Sequence, residues 1–379
     1  MRSPLDADAA FGGVYRDRTV LVTGDTGFKG GWLCLWLVGL GARVVGYSLD
    51  PPTSPSLYDA IGLGELVEHV HGDVRDVDRL RATFATYSPE VVFHLAAQSL
   101  VRTSYARPIE TYETNVMGTV NLLEAVRGCS AVKAVVNVTS DKCYENREWE
   151  YAYRENDSLG GSDPYSSSKA CAELVTSAYR ESFFGQTTPV AVASVRGGNV
   201  IGGGDWAIDR LIPDCVRALS EGELVTIRNP EAVRPWQYVL EPLAGYLWLG
   251  SRMCSHAREY TGAWNFGPSA LSNVRVEEVV EGFVAEWGGG RWKTADPHAM
   301  KLHEATFLKL DCTKAADLLG WRCIWSLRHT VATAARWYKA HYSGGADLLA
   351  RSQAEIAAYT DVAHKAGLAW TAGRADVAE

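Results

Sequence analysis

An α/β protein is predicted, built on a doubly wound parallel sheet with a smaller mixed α/β lobe toward the C-terminus of the 379-residue chain. Three observations predict it. Short β-branched runs at 19–23, 43–48, 68–74, 91–95 and 135–138 alternate with helical stretches, the order that lays successive strands parallel in one sheet. The first run turns at once into Gly24-Asp25-Thr26-Gly27-Phe28-Lys29-Gly30, ahead of an apolar helical stretch. Beyond residue 198 the alternation loosens into shorter pieces.

Composition narrows the classes. With 47% hydrophobic and 22% charged residues, the chain can bury a large core and has the balance of a soluble globular protein. A net charge of -8 and the lack of a long Lys/Arg block argue against nucleic acid or an anionic membrane as partner. The eight cysteines show no paired metal spacing, so they read as reduced thiols of a cytoplasmic protein, with no metal expected. Residues 1–16 lack an apolar signal core, and no stretch reaches membrane-spanning length.

Taken in order, the elements justify themselves. Strand 19–23, the glycine turn and the helix from 32 to 40 make a pyrophosphate site, since glycines permit close backbone approach and a helix N-terminus faces the anion. Gly24, Thr26, Gly27, Phe28, Lys29 and Gly30 are therefore candidate cofactor residues. Strand 43–48 should end beside the adenine-side ribose, where an acid selects NAD; Asp50 is that acid, and no arginine follows. Asp73 and Val74, after the third strand, are candidates for the adenine, ahead of a helix at 76–87. Leu95, Ala96 and Ala97 follow the fourth strand, where small residues admit a flat cofactor. Long helices are expected over 111–126, carrying Asn115, and from Tyr165 to near 184. A sixth strand at 190–195 opens into a glycine-rich loop, followed by a helix near 210–220, a strand near 225–228 and Ala-rich helices at 331–342 and 346–366. The last dozen residues are expected to fray. The resulting division is a Rossmann-type dinucleotide domain at 13–198 to which later segments return, a ligand lobe at 199–345, and a C-terminal helix and tail at 346–379.

Chemistry concentrates between 135 and 169. The fifth strand empties into Thr139-Ser140-Asp141-Lys142, placing a hydroxyl, a carboxyl and an amine at its tip. Tyr165 and Lys169 lie four apart, hence on one helix face. The Lys169 ammonium is expected to favour the phenolate and bring a group that titrates at about 10 closer to neutrality.

Together, Thr23-Gly24-x-x-Gly27-x-x-Gly30, His94-Leu95-Ala96-Ala97, Asn115, Ser140 and Tyr165-x-x-x-Lys169 resemble the extended short-chain dehydrogenase/reductase superfamily, in its branch of sugar-nucleotide 4,6-dehydratases and epimerases. Longer segments resemble the CDP-glucose 4,6-dehydratases: Pro51-Pro52-Thr53, residues 139–146, Asn199-Val200-Ile201-Gly202-Gly203-Gly204-Asp205-Trp206 and Arg234-Pro235-Trp236-Gln237. The similarity spans about residues 13 to 340. The family usually carries His where Asp25 stands, which puts an acid close to the expected pyrophosphate.

The resemblance implies a hydro-lyase acting on a nucleoside-diphosphate hexose, CDP-glucose, with NAD. In it Tyr165 takes the proton of the 4-hydroxyl, Ser140 holds that hydroxyl, Asp141 is the acid that protonates the departing 6-hydroxyl, and Lys142 is the candidate base at C5. Relatives with dTDP-sugars carry Glu at the position of Lys142. Asn199, Arg210 and Arg234 would grip diphosphate and ribose, against the plainer alternative that Arg210 pairs with Asp209. The two long helices would form a homodimer, which could pair again into a homotetramer. Two alternatives stay open: a nucleotide-sugar 4-epimerase or a dehydratase for another hexose nucleotide, and a non-catalytic NAD-binding scaffold.

Overall fold

The computed structural model describes residues 10–185, 188–268, 272–295 and 308–372. The six expected strands form as β1 (Thr19–Thr23), β2 (Arg43–Ser48), β3 (Glu68–His71), β4 (Val91–His94), β5 (Ala134–Val138) and β6 (Ala191–Gly197). Beyond them run β7 (Asn199–Ile201), β8 (Val225–Ile227), β9 (Val233–Tyr238), β10 (Gly262–Phe266), β11 (Asn273–Arg275) and β12 (Trp292–Thr294). The main sheet has the order β10-β6-β5-β4-β1-β2-β3, with every neighbouring pair parallel. Strand order reverses between β1 and β4, which opens a crevice at their carboxyl ends, the place where such sheets bind ligands.

Alternation across the strands builds two cores. Val20 and Val22 of β1 face a layer containing Trp32 and Trp36 of the helix Phe28–Gly39, whereas Leu21 faces Leu80 and Phe84 of the helix Val77–Tyr87 and Leu122 beyond it. β1 is thus apolar on both sides, as a sheet covered by helices on both faces requires.

The structure departs from the expected elements in four places. The strand expected to reach Val74 ends at His71, and Asp76 caps the following helix, Val77–Tyr87, by accepting the Arg79 amide. The helix expected over 111–126 is interrupted by a wide turn, Glu113–Met117, centred on Asn115. The helix beginning at Pro164–Tyr179 likewise ends in a wide turn, Arg180–Phe184. The last dozen residues do not all fray: Ala369–Thr371 form a short turn with Trp370 fully buried, while 373–379 lie outside the described residues.

Part of the span read as the ligand lobe belongs physically to the main sheet. β10 is its edge strand beside β6, and the helix Leu240–Ser255 packs on β5 and β6. The remaining pieces form two small sheets, β11-β9-β7 and β12-β8, over the carboxyl ends of the main strands.

Candidate active site

The crevice is a cleft of about 1390 Å³ lined by every candidate residue taken from the sequence: the glycine turn, the tips of β4 and β5, the start of the Tyr165 helix and Asn199, Arg210 and Arg234. The turn is compressed backbone on backbone. A Cβ added at Gly30 would lie 2.0 Å from the Gly24 oxygen, and one at Gly24, whose φ is +79°, 2.8 Å from the Ala96 nitrogen. The helix Phe28–Gly39 has no side-chain cap, so its first amides remain directed at the cleft. A dinucleotide pyrophosphate fits this cradle by both criteria.

Asp25 does not face that anion. Its carboxylate is fully buried beneath the turn, accepting from Ser48 Oγ at 2.7 Å and lying 2.7 Å from His69 Nδ1. Gly46 makes the room, since a Cβ there would come within 2.1 Å of Asp25 Oδ2. The paired carboxylate raises the proton affinity of His69, so the acid expected near the pyrophosphate has its partner on the far side of the turn.

At the adenine end, Asp50 is exposed, 3.7 Å from His71 Nε2. Asp73 is gripped by the Arg75 guanidinium at 2.6 and 2.9 Å, which holds its carboxyl below the usual range. Val74 is buried, and Leu95, Ala96 and Ala97 form the cleft wall. His94 sits behind that wall, 2.7 Å from the Thr23 hydroxyl; burial lowers it to about 3, so it is neutral and structural.

Asp163 caps the helix Pro164–Tyr179 through a capping box with Ser166, and Pro164 occupies its first turn. This fixes Tyr165 opposite the β5 tip. Ser140 Oγ donates to Asp141 Oδ1 at 3.1 Å, and the Lys142 amide donates to Ser140 Oγ at 3.2 Å. Asp141 is buried, which raises its carboxyl above the ordinary range against the opposing pull of Lys142, Ser140, Lys29 and Arg234. Lys142 Nζ stands 6.0 Å over the Tyr165 ring.

The expected lowering of Tyr165 by Lys169 is not found. Burial pushes the phenol up to about 12, and what eases it is first its hydrogen bond with Ser140, then Arg210. Lys169 turns its ammonium to the Val138 carbonyl at 3.4 Å, and burial draws it down to about 8 against Glu173.

Glu173 was not among the sequence candidates. Its buried carboxylate gathers Thr139, Ser194 and Arg196, the last at 2.7 Å, and so ties the tips of β5 and β6 to the Tyr165 helix. Its spacing of four from Lys169 was the available signal. Arg210 pairs with Asp205 at 2.9 Å and with Ser99, not with Asp209, which Arg228 holds at 2.7 Å. Among the described residues no three His, Cys, Asp or Glu side chains gather as a metal group. No helix among them is long and apolar enough to cross a membrane.

A sequence model of the family described as GDP-mannose 4,6 dehydratase matches residues 21–334. The chain belongs to this family. As a member of the GDP-mannose 4,6 dehydratase family it lies in the extended short-chain dehydrogenase/reductase superfamily. It is 52% identical, over 91% of its own length and 97% of the relative's, to a CDP-glucose 4,6-dehydratase of Salmonella typhimurium strain LT2. Two solved structures share the family fold. One is a dTDP-glucose 4,6-dehydratase from Bacillus anthracis in complex with NAD, with TM-score 0.70 and 22% identity over 85% of this chain and 96% of that one. The other is a UDP-glucose 4-epimerase from Stenotrophomonas maltophila with bound NAD, with TM-score 0.73 and 21% identity over 86% of this chain and 100% of that one.

Proposed function

We propose that this chain dehydrates CDP-D-glucose to CDP-4-dehydro-6-deoxy-D-glucose, with NAD as a resident hydride carrier. One observation carries the reading: a buried carboxyl, Asp141, whose proton affinity is raised, stands beside Ser140 and Tyr165 in the cleft that Asn199, Arg210 and Arg234 also line. A 4-epimerase uses the phenol and the lysine but needs no acid there. The 52% identity to the Salmonella enzyme supports CDP-glucose as the hexose nucleotide.

In this reading the amides of Gly27 to Gly30 hold the pyrophosphate, Asp50 the ribose, Asp73 and Val74 the adenine, and Leu95 to Ala97 flank the reactive end. Bound NAD would take the hydride from C4 and return it to C6. Tyr165 Oη takes the proton of the 4-hydroxyl while Ser140 Oγ holds its oxygen. The ketone acidifies the C5 hydrogen; Lys142 Nζ is the base assigned to remove that proton, and Asp141 protonates O6, which leaves as water. The Lys142 ammonium then returns a proton to C5. Each turnover leaves Tyr165 with one proton more and Asp141 with one fewer, and the Ser140 hydroxyl, which donates to Asp141 and eases the Tyr165 phenol, is the path assigned to reset them. Arg210 and Arg234 supply forked donors for the substrate diphosphate, with Asn199 beside them.

The wider assignment follows. Residues 13–198 with β10 make the dinucleotide domain, 199–345 the nucleotide-sugar lobe, and 346–379 the C-terminal helix and tail. Met117 and Leu174 are 49% and 59% exposed on the two long helices, and Ile109 on the short helix Pro108–Tyr112 just before the first of them is 74% exposed, which supports a homodimer through this face, or a pair of such dimers. The enzyme is assigned to the cytoplasm, where its eight unpaired cysteines stay reduced.

The test is an assay across CDP-, dTDP-, UDP- and GDP-hexoses carrying deuterium at C4. The expected outcome is a 4-keto product, absorbing in alkali, from CDP-glucose, with the label at C6. A C4 epimer with its label still at C4 would favour the epimerase. NAD binding without turnover of any hexose would favour the scaffold.

A further inference from the structure

Lys29 belongs to the glycine turn by its backbone but not by its side chain. Its Nζ stands 5.7 Å over the ring of Tyr246, a residue of the helix Leu240–Ser255 beneath the cleft. The Tyr246 hydroxyl is itself fully buried and without a hydrogen-bond partner, and a Cβ at Gly197, on the end of β6, would lie 3.0 Å from it. The neighbouring Gly198 position approaches Asp141 Oδ2 at the same 3.0 Å. Lys29 therefore reaches from the turn to the tips of β5 and β6, where its charged neighbours are Arg210, Asp141 and Lys169.

The ammonium makes no hydrogen bond and no ion pair among the described residues. Burial, then Arg210, draws its proton affinity down to about 8. The side chain is partly exposed at the cleft wall, where the Tyr246 ring and the charge of Asp141 offset only part of its desolvation. The backbone amides of the turn already meet a pyrophosphate, so that anion does not require the side chain.

We infer that Lys29 tunes the reactive end of the cofactor, its ammonium disfavouring the positively charged oxidised nicotinamide relative to the neutral reduced ring. The consequence is stronger withdrawal of hydride from C4 of the hexose. In that step the C4–H bond breaks with its electron pair going to the cofactor, and the 4-hydroxyl proton goes to Tyr165. The inference rests on the NAD-dependent reading above and adds to it a residue whose charge sets the redox balance.

The test measures binding, not turnover. Full-length wild type, Lys29→Met and Lys29→Arg, freed of nucleotide, are titrated separately with NAD+ and NADH. The expected result is a preference for NADH over NAD+ that falls at least roughly tenfold in Lys29→Met, mainly through tighter NAD+ binding, and is kept in Lys29→Arg. The nucleotide-free Lys29→Met chain should melt no lower than wild type, because a partly desolvated charge with no hydrogen bond among the described residues has gone. Should Lys29→Met not fold, Lys29→Gln is read against the same expectation. Equal weakening of both forms would assign the ammonium to the pyrophosphate, which both share, and overturn the inference; an unchanged ratio overturns it as well. A wild-type chain that binds neither form sinks the NAD reading itself, so the two failures are distinguishable.

Discussion

Asp141 divides the proposed reaction into two halves that one substitution separates. Asparagine keeps the shape and the bond to Ser140 but has no proton for the departing 6-hydroxyl. Asp141→Asn should lower kcat for the 4-keto-6-deoxy product by about 10²–10⁴, while the first hydride removal persists in a single turnover followed by cofactor absorbance. Loss of both halves together would show that Asp141 is not the acid. Because burial raises this carboxyl, its donor form is present below the raised pKa and is lost as pH climbs through it. The alkaline limb of the rate should therefore belong to Asp141 and vanish in the variant. Tyr165→Phe is the complementary case: it should abolish C4 oxidation, lowering kcat by about 10²–10⁴, with NAD affinity kept, since the phenol contacts Ser140 and not the turn. At this scale the residues that line the cleft were legible and their partners were not. The spacing of Tyr165 and Lys169 predicted one helix face, but only the fold reveals that Lys169 points to the Val138 carbonyl and that Asp25 turns to His69.

Elements whose pattern is local were read to within a residue or two, as β1 and β2 illustrate, because a β-branched run ending in a glycine turn has few alternatives. The helix Leu240–Ser255 escaped because it buries thirteen of its sixteen residues, which erases the amphipathic period, and Pro242, Gly245 and Gly250 imitate a loop. Gly245 is required by contact: a Cβ there would lie 2.4 Å from the Phe266 ring on β10. That strand was missed with the helix that supports it. The break at Asn115 was hidden for a different reason: its side chain serves the backbone of a distant segment, bonding the Gln98 amide and carbonyl and Ser168 Oγ, which pattern alone does not encode. The glycine turn gives the prediction that belongs here. Gly30→Ala must push its methyl away from the Gly24 oxygen, so the turn opens and its amides lose their common focus. NAD affinity should fall at least roughly tenfold and the melting temperature should drop, by the overpacking cost of about 1–3 kcal/mol. Calorimetric titration and thermal unfolding check both; unchanged NAD affinity would mean that the pyrophosphate does not sit on this turn.

Across the whole molecule, the C-terminal helix Leu348–Lys365 is fastened to the sheet by carboxyls that the proposed chemistry does not use. Tyr359 on that helix donates to Glu241 Oε2 at 2.8 Å, while Glu241 Oε1 accepts the amides of Ile324 and Trp325 at 3.0 and 2.7 Å. Glu355, one turn earlier on the same helix, accepts from the Tyr238 hydroxyl at the end of β9 and has Arg351 at 4.0 Å. Burial pushes both carboxyls up to about 7, against about 4.3 in an unfolded chain. Between those values the folded protein binds more protons than the unfolded one, so the stabilisation is complete below about 4.3 and is lost as pH rises through about 7. The melting temperature should therefore fall from about pH 5 to about pH 8. Glu355→Gln keeps an acceptor for Tyr238 without a charge to desolvate. It should flatten that slope and raise the melting temperature at the alkaline end by about 2–4 °C, with activity kept because no residue of the helix lines the cleft. Thermal unfolding of both proteins across this range decides the matter. A melting temperature that climbs with pH, or a variant with the wild-type slope, would mean that these carboxyls are ionised in the folded chain and that another contact holds the C-terminal helix in place.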